Sequence, residues 1–260
     1  MVKQKILLKF GGSVITDKKS NTPTINQKNL DKISNTLNTT NYDIIIVHGA
    51  GSFGHPIAKK FKLEKGLNSR INQKTAIKDV REQVLELNKI ICNTLHKINI
   101  KTQTIIPSET METIGSRKIK EFPLELFNKA IKSGNVPITF GDVTNDSLQG
   151  ITILSGDVIM LELAKIYKPL LTLFIMDLPG VFDGNPSDKG SKILPLVNHS
   201  TLETLKENII NNKVIDVTGG LIGKLECAME ISNYSETWIT NLDALKECLE
   251  GKPHGSRVVI

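Results

Sequence analysis

A glycine-rich turn directly after a short apolar run constrains the fold more than any other stretch of this chain. The run Ile44-Ile45-Ile46-Val47 is typical of a strand buried on both faces. It leads into His48-Gly49-Ala50-Gly51-Ser52-Phe53-Gly54-His55. Glycine lets a backbone come close to a ligand, and amide N–H groups at the start of a helix favour an anion. The stretch therefore predicts an anion site at a strand end, with a histidine at each border.

Three further glycine turns stand at comparable places in the chain, at residues 11–13, 155–157 and 219–220. Each follows a predicted strand or opens a predicted helix. A glycine pair on its own is a weak signal, since an ordinary tight turn has the same composition. Brought to one edge of a sheet, however, the four turns would hold several phosphate groups in a row.

Lysines accompany two of these turns. Lys9 precedes the first turn, Lys18 follows it, and Lys224 lies one turn into the helix that begins after residues 219–220. Each lysine alone would be an ordinary surface charge. Together they would neutralise bound phosphates, and phosphoryl transfer requires mainly positioning and charge stabilisation from a protein. No Ser-His-Asp or Cys-His arrangement suggests nucleophilic catalysis instead.

The alternation of strand and helix patterns predicts the fold class. Strand patterns such as residues 5–10 and 136–140 are separated by helical ones, which predicts an α/β fold whose mostly parallel open sheet carries helices on both faces. No linker or repeat divides the chain. We expect a single domain over residues 1–260, with an N-terminal phosphate-acceptor lobe at 1–169 and a C-terminal nucleotide lobe at 170–260.

Three local predictions concern the ends of elements. Asn26 is expected to cap a helix that runs to about Leu37. Residues 108–117 are polar and are expected to form a loop. Asn145-Asp146 is expected to be the tip of a hairpin.

The composition excludes several classes of protein. The net charge of +6 favours an anionic partner, but aromatic residues make up only 5% of the chain, and no basic and aromatic stripe suggests nucleic-acid binding. No apolar run approaches the roughly 20 residues that cross a bilayer, and no signal segment is recognised before the first strand. The three cysteines are widely spaced, which favours a reducing cytoplasm over a disulfide framework. We expect no protein metal site.

Two aspartates follow the apolar pattern at 170–176, in Asp177-Leu178-Pro179-Gly180-Val181-Phe182-Asp183. Ligands of open α/β sheets bind beyond the carboxyl ends of the strands, so Asp177 and Asp183 could meet the ribose, the base or a metal of a nucleotide. Turn formation accounts for the same residues, since Asp, Pro and Gly are common in turns.

Five blocks of the sequence together resemble the amino acid kinase superfamily over essentially the whole chain. They are Lys9-Phe10-Gly11-Gly12-Ser13, His48-Gly49-Ala50-Gly51, Ser155-Gly156-Asp157, Asp177-Leu178-Pro179-Gly180-Val181, and Asp216-Val217-Thr218-Gly219-Gly220 with Lys224. Ser52-Phe53-Gly54-His55 and Ile15-Thr16-Asp17-Lys18 are similar to its isopentenyl phosphate kinase branch. The resemblance implies a three-layer αβα sandwich, a homodimer, and ATP-dependent phosphorylation of isopentenyl phosphate to the diphosphate in an alternative mevalonate route, with Mg²⁺.

The resemblance also implies roles for individual residues. Lys9 and Lys18 would bridge the transferring phosphoryl group, and His55 would hold the substrate phosphate during in-line transfer. Ala50 would lie between the two phosphate sites, and Gly156 would belong to the acceptor side. The residues assigned to the nucleotide are Lys9, Gly11, Gly12, Ser13, Gly51, Asp177, Gly180, Asp183, Gly219 and Lys224.

Several alternatives remain open at this point. Another small-molecule kinase of the superfamily, such as a fosfomycin kinase, would share most of these blocks. A non-catalytic nucleotide-binding sensor would also share them, although Lys9 and Lys18 favour catalysis. His48 more simply supports the turn than touches substrate. Candidates for an apolar pocket around a prenyl tail are Ile77, Val80, Val84 and Ile138.

Overall fold

The computed structural model describes residues 3–17, 20, 22–212 and 219–260. Its strands are β1 (Lys5–Phe10), β2 (Asp43–His48), β3 (Thr102–Thr104), β4 (Glu112–Thr113), β5 (Ile119–Glu121), β6 (Val136–Phe140), β7 (Asp142–Asp146), β8 (Gly150–Leu154), β9 (Leu171–Met176), β10 (Leu196–Val197), β11 (Glu236–Asn241) and β12 (Ser256–Val258). Its α-helices are α1 (Gly12–Ile15), α2 (Gln27–Leu37), α3 (His55–Lys60), α4 (Lys74–His96), α5 (Pro107–Thr110), α6 (Leu124–Lys132), α7 (Gly156–Tyr167), α8 (His199–Asn212), α9 (Gly219–Ile231) and α10 (Leu245–Leu249).

A central eight-stranded sheet has the order β10-β12-β11-β9-β1-β2-β6-β3. All of its neighbouring strands are parallel except β11 and β12. The first strand of the chain is an inner strand, flanked by β2 and β9, because β1 is apolar on both faces and needs cover on both. The prediction of a mostly parallel open sheet is confirmed. This sheet joins strands from both predicted lobes.

Helices cover both faces of the sheet, as a three-layer fold requires. Leu7 and Val47 point to one face, where they join a core with α7 and α9. Leu8 and Ile46 point to the other face and pack with α2, α4 and α10. The alternation of side chains along β1 and β2 therefore separates two apolar layers. No helix within the described residues is both long enough and apolar enough to cross a membrane.

A second, smaller sheet has the order β5-β4-β7-β8 and was not predicted. The expectation of a loop over 108–117 is wrong in part, because α5 ends at Thr110 and β4 follows within that stretch. The predicted hairpin tip is also displaced. Asp146 ends strand β7, and its carboxylate accepts the N–H groups of Leu148 and Gln149, so the turn lies after it.

The predicted start of the second helix is confirmed. The side chain of Asn26 accepts a hydrogen bond from the N–H of Asn29, at 3.2 Å, and α2 runs from Gln27 to Leu37. This cap satisfies one of the amide groups that a helix leaves without a partner in its first turn.

Candidate functional site

The first two glycine turns touch each other where β1 and β2 end. A Cβ atom placed on Gly12 would lie 2.3 Å from the nitrogen of Gly51, and one on Gly49 would lie 2.7 Å from the nitrogen of Gly12. Gly51 itself has a φ of +53°, a conformation that side chains disfavour. These glycines are needed for the approach of two backbones to each other. At Gly12 and Gly49 the neighbouring turn, and not a ligand, occupies the space that a side chain would take.

Thr16 holds the two turns in this contact. Its hydroxyl donates to the carbonyl of Gly12 at 2.7 Å and accepts the N–H of Ser52 at 3.1 Å. Gly11 adds a link to the neighbouring strand, because its N–H donates to the Ile175 carbonyl of β9 at 2.9 Å. The ends of β1, β2 and β9 are thus joined at one edge of the sheet.

Five amide groups at this edge have no acceptor within the protein. In the described part of the chain, the N–H groups of Gly12, Ser13, Ala50, Gly51 and Gly156 donate to no acceptor. Four come from the two interlocked turns, and the fifth opens helix α7. Because each N–H lies at the start of a helix or a turn, the arrangement suits the oxygens of one or more phosphates.

A buried ion triad formed by Lys9, Asp157 and Lys224 lies beside these turns. The Nζ of Lys9 is 2.8 Å from Oδ1 of Asp157, and the Nζ of Lys224 is 3.0 Å from the same oxygen. The side chains are only 8%, 12% and 14% exposed for Lys9, Asp157 and Lys224. Gly156 allows this packing, since a Cβ there would lie 3.0 Å from Cε of Lys9. Two ammonium groups and one carboxylate leave a net positive charge beside the amide groups.

Burial and charge act on the pKa values of this triad in opposite directions. Burial lowers the pKa of Lys9 to about 8, with the neighbouring Lys224 acting the same way and Asp157 opposing both. Burial alone would raise the pKa of Asp157, but the two ammonium groups outweigh it and hold that pKa far below its usual range. At neutral pH Lys9 is therefore mostly protonated and Asp157 is ionised.

His48 lies on the opposite face of the sheet, and its side chain is fully buried. Its Nδ1 is 3.0 Å from the Gly49 carbonyl, and its Nε2 is 3.2 Å from Nδ2 of Asn88 on α4. Asn88 in turn accepts the hydroxyl of Thr104 at 2.7 Å. The ring also packs on Phe140, with 5.1 Å between centroids. Burial lowers the pKa of His48 to about 4, so the ring is neutral and supports the turn from behind, as predicted.

His55 is exposed at the first residue of α3, at the far end of the same turn. Behind it lies an apolar cluster that includes Ala50, Val80 and Val84, with Ile77 packed against it. Gly54 lies within this cluster, because a Cβ there would be 3.0 Å from both Ala50 and Val84. Three of the four tail-pocket candidates therefore lie together. Ile138 belongs to a different apolar cluster, on the α2 and α4 side of the sheet.

The residues of the C-terminal half that were predicted to bind the nucleotide each contact a different part of the protein. The hydroxyl of Ser13 donates to Asp177 at 3.1 Å, which links the β1 turn to the end of β9. Asp183 instead accepts the N–H of Lys192 at 2.8 Å, within its own loop, and this hydrogen bond lowers its pKa. Gly180 packs against Ser256, which leaves no room for a Cβ.

Two of the predicted positions lie at or beyond the limits of the described residues. Gly219 is the first residue of α9, which carries Lys224 toward the ion triad. Lys18 lies outside the described residues, as does the Asp216-Val217-Thr218 part of the last motif.

Asp157 and Asn88 are the polar residues of the site that sequence reasoning missed. Ser155-Gly156-Asp157 was interpreted as a helix start, which it is, since Ser155 accepts the N–H of Asp157. The carboxylate's two lysine partners are remote in sequence. Asn88 could have been found, because it is a polar residue on the apolar stripe of α4 and is only 1% exposed. In the described ranges no group of three or more His, Cys, Asp or Glu side chains could hold a metal ion.

Comparisons with known proteins show to which family the chain belongs. The model of the amino acid kinase family matches residues 4–241. Isopentenyl phosphate kinase of Methanocaldococcus jannaschii is 32% identical over 231 residues, covering 85% of each chain. The enzyme of the same name from Methanothermobacter thermautotrophicus is 30% identical, over 85% of this chain and 84% of its own. An X-ray structure of isopentenyl phosphate kinase superposes with a TM-score of 0.84, at 25% identity, over 98% of this chain and 99% of its own.

Proposed function

The chain belongs to the amino acid kinase family and, within it, to the isopentenyl phosphate kinases, and from this premise we propose that it transfers a phosphoryl group from ATP to isopentenyl phosphate. The product is isopentenyl diphosphate, a precursor in isoprenoid synthesis. The observation that carries the proposal is the cluster of open amide groups and the Lys9–Asp157–Lys224 triad at one edge of the sheet. Two relatives that match most of the chain are isopentenyl phosphate kinases, which favours this function over a kinase with another acceptor and over a nucleotide sensor.

The chemistry of such a transfer fits the residues of the site. A phosphomonoester acceptor is already an oxyanion, so the reaction needs no strong general base. The protein must instead align two phosphates that repel each other and neutralise the charge that develops between them. Amide groups from three turns and a positively charged triad suit both tasks, since they are fixed in place before the substrates bind.

Roles for individual residues form part of the proposal. Lys9 and Lys18 stabilise the transferring phosphoryl group, and the Asp157 carboxylate fixes the Lys9 and Lys224 ammonium groups relative to each other. His55 binds the phosphate of the acceptor. The exposure of His55 at the start of α3 supports this role, because a bound substrate can reach it.

The remaining proposed contacts concern the acceptor and the nucleotide. Ala50 lies between the two phosphate sites, where it binds the acceptor and borders the phosphates of the nucleotide, and Gly156 belongs to the acceptor side. The residues proposed for the nucleotide are Gly11, Gly12, Ser13, Gly51, Asp177, Gly180, Asp183, Gly219 and Lys224. For Asp183 we propose a role through the loop that it holds, because its carboxylate accepts from Ser191 and Lys192.

Mg²⁺ is proposed as a companion of ATP. The described residues offer no cluster of carboxylates for it. Magnesium commonly binds through substrate phosphates and waters with one or two carboxylates, and Asp177 beside Ser13 is the residue suited to that. When bound, the ion would neutralise charge on the nucleotide phosphates.

The acceptor is tested by an ADP-release assay over isopentenyl phosphate, fosfomycin, glutamate and carbamate. We expect turnover with isopentenyl phosphate to exceed that with each other compound by at least about 100-fold. The matched control is the Lys9→Met variant, in which ADP release with isopentenyl phosphate should fall about 10²- to 10³-fold. Preference for fosfomycin, or ADP release that is independent of acceptor, would refute the proposal.

A variant of Lys18 tests whether its charge acts in the transition state. We predict that Lys18→Ala lowers kcat more than it raises KM for either substrate, because an interaction that strengthens only in the transition state acts on kcat. Steady-state kinetics in both substrates measure the two parameters. An effect on KM alone would contradict this role.

A homodimer and a cytoplasmic location complete the proposal. The three cysteines are free thiols, and Cys92 and Cys248 are buried, which suits a reducing compartment. Light scattering after size-exclusion chromatography should give twice the mass of the 260-residue chain.

A further inference from the structure

A polar network behind the second glycine turn takes no part in the proposed chemistry. His48, Asn88 and Thr104 are linked by hydrogen bonds of 3.2 and 2.7 Å on the α4 side of the sheet. His48 and Asn88 are 0% and 1% exposed, so no substrate reaches them. A buried polar network usually costs stability unless every member is satisfied, and an apolar pair would fill the same space. Because the network lies directly behind the turn, we ask what it does for the turn.

The hydrogen bonds determine where the proton of His48 lies. A carbonyl can only accept, so the Nδ1 that faces the Gly49 oxygen must carry the proton. The Nε2 of the neutral ring then accepts the N–H of Asn88. Asn88 is itself oriented, because its oxygen accepts the Thr104 hydroxyl. The network therefore fixes one tautomer, and with it a donor aimed at the Gly49 carbonyl.

The same bond fixes the next peptide group. In a trans peptide the C=O and the following N–H point in opposite directions. Because the Gly49 carbonyl points to the imidazole, the N–H of Ala50 points away from it. We infer that His48 is a positioning residue that turns the Gly49–Ala50 peptide so that the Ala50 N–H donates to a phosphate bound at the site. This inference rests on the proposed function, in which Ala50 binds phosphate.

The placement of side chains along the strands supports this direction. His48, like Ile46 and Ile44 before it on β2, lies on the α2 and α4 side of the sheet. Lys9 lies on the other side, where it pairs with Asp157 of α7. An N–H that points away from His48 therefore points to the face that carries the ion triad. The Ala50 N–H has no acceptor among the described residues, as a group reserved for a ligand requires.

Three variants separate positioning from packing. His48→Phe keeps an aromatic ring against Phe140 but has no donor. His48→Asn places an amide N–H near the position of Nδ1 and is the matched rescue. Asn88→Leu keeps His48 but removes the hydrogen-bond donor to its Nε2. This variant tests the inference if His48→Phe does not fold. We expect His48→Phe to lower kcat about 10- to 100-fold, less than the loss of a complete oxyanion donor, with KM values within about threefold. The kcat of His48→Asn should lie within about fivefold of the wild-type kcat, and Asn88→Leu should lower kcat about three- to tenfold.

A second readout does not depend on the acceptor. NMR spectra of protein labelled with ¹⁵N-alanine report on the Ala50 amide, whose signal is assigned by its loss in Ala50→Gly. This signal should shift when AMP-PNP binds to the wild type and to His48→Asn. It should shift by less than half as much in His48→Phe. The inference is overturned if His48→Phe retains kcat within twofold, if His48→Asn is no better than His48→Phe, or if the Ala50 signal shifts equally in all three. Should isopentenyl phosphate not be the acceptor, the wild-type assay fails while the AMP-PNP comparison still decides the role of His48.

Discussion

Two polar networks occupy opposite faces of the sheet at the same strand ends, and they differ in charge. The ion triad of Lys9, Asp157 and Lys224 lies on the α7 side and is partly open to solvent. The network of His48 and Asn88 lies on the α4 side, is fully enclosed and is neutral. Charge is thus confined to the face that an anion can approach, while the hidden face holds the backbone by neutral hydrogen bonds.

Burial lowers the pKa of a base in both networks, yet the outcomes differ. Lys9 stays protonated at pH 7, since its pKa falls only to about 8 and Asp157 opposes the effect of burial. His48 has no carboxylate partner in its network, and its pKa falls to about 4. The pKa of Lys9 falls from 10.5 and that of His48 from 6.5, so a similar lowering leaves the lysine charged and the histidine a neutral hydrogen-bonding group at pH 7.

Removal of the acid from the charged network should have the largest effect. Asp157→Asn leaves two buried ammonium groups without a counter-charge, and we expect the free energy of unfolding to fall by about 3–5 kcal/mol. Urea unfolding at pH 7 measures it. The matched control is Asp243→Asn, which breaks an exposed ion pair with Lys32 and should change stability by less than about 1 kcal/mol. Equal effects of the two variants would contradict the conclusion that the charges of the triad are buried and depend on Asp157.

Removal of one base from the same network should separate activity from stability. In Lys9→Met, Asp157 retains Lys224 as a partner, so the loss of stability should be smaller than in Asp157→Asn. We expect kcat to fall about 10²- to 10³-fold, as for a lost group that stabilises transition-state charge. Lys5→Met, on the same strand but outside the triad, is the control and should keep kcat within about twofold. A Lys9→Met enzyme with unchanged kcat would contradict the assignment.

The neutral network predicts a loss of stability in acid. The unfolded chain protonates His48 near pH 6.5, whereas the folded protein does so only near pH 4. Unfolding therefore takes up a proton between these values, and the contribution of His48 to stability falls as the pH drops from 6.5 to 4. Relative to His48→Asn, which does not titrate, the wild type should lose up to about 3 kcal/mol between pH 7 and pH 4. Parallel stability curves for the two proteins would show that His48 is not buried as a neutral base.

The exposed histidine at the other end of the turn should affect activity alone. A hydrogen bond to a charged group is worth about 1.5–3 kcal/mol, so His55→Ala should lower turnover of isopentenyl phosphate about 100-fold. Its unfolding midpoint should stay within about 1 °C of the wild type, because the side chain is exposed. His254→Ala, which removes another exposed histidine, is the control for both measurements. Unchanged kinetics in His55→Ala would remove the acceptor role.

The sequence predicted the sheet and the meeting of its glycine turns because both follow from local patterns. Strands β1 and β2 are apolar, as is typical of buried parallel strands. The carboxyl ends of parallel strands lie at the same edge of a sheet, so the turns that follow them lie close together. The small second sheet was missed because β4 and β5 have two and three residues and are mostly polar. Pairing with distant strands, which local propensity does not report, stabilises them.

The site was predicted less completely than the fold. The lysines were found because they stand beside glycine turns. The carboxylate that binds two of them was not, since Asp157 is separated from Lys224 by 67 positions and from Lys9 by 148. The glycines were found, but their packing at Gly12 and Gly49 was not, because a sequence does not show whether the space beside a glycine holds a ligand or another turn.

The position of β1 inside the sheet has a consequence for the newly made chain on the ribosome. Lys9 is synthesised before its carboxylate partner Asp157, and β1 is synthesised before β9, which flanks it on the other side and begins at Leu171. Until then the strand has an open edge and an ammonium group without its counter-ion, which disfavours burial. Lys224 emerges later still. Translation therefore delivers Lys9 before the partners that enclose it, so the ion triad can form only after Lys224 has been synthesised.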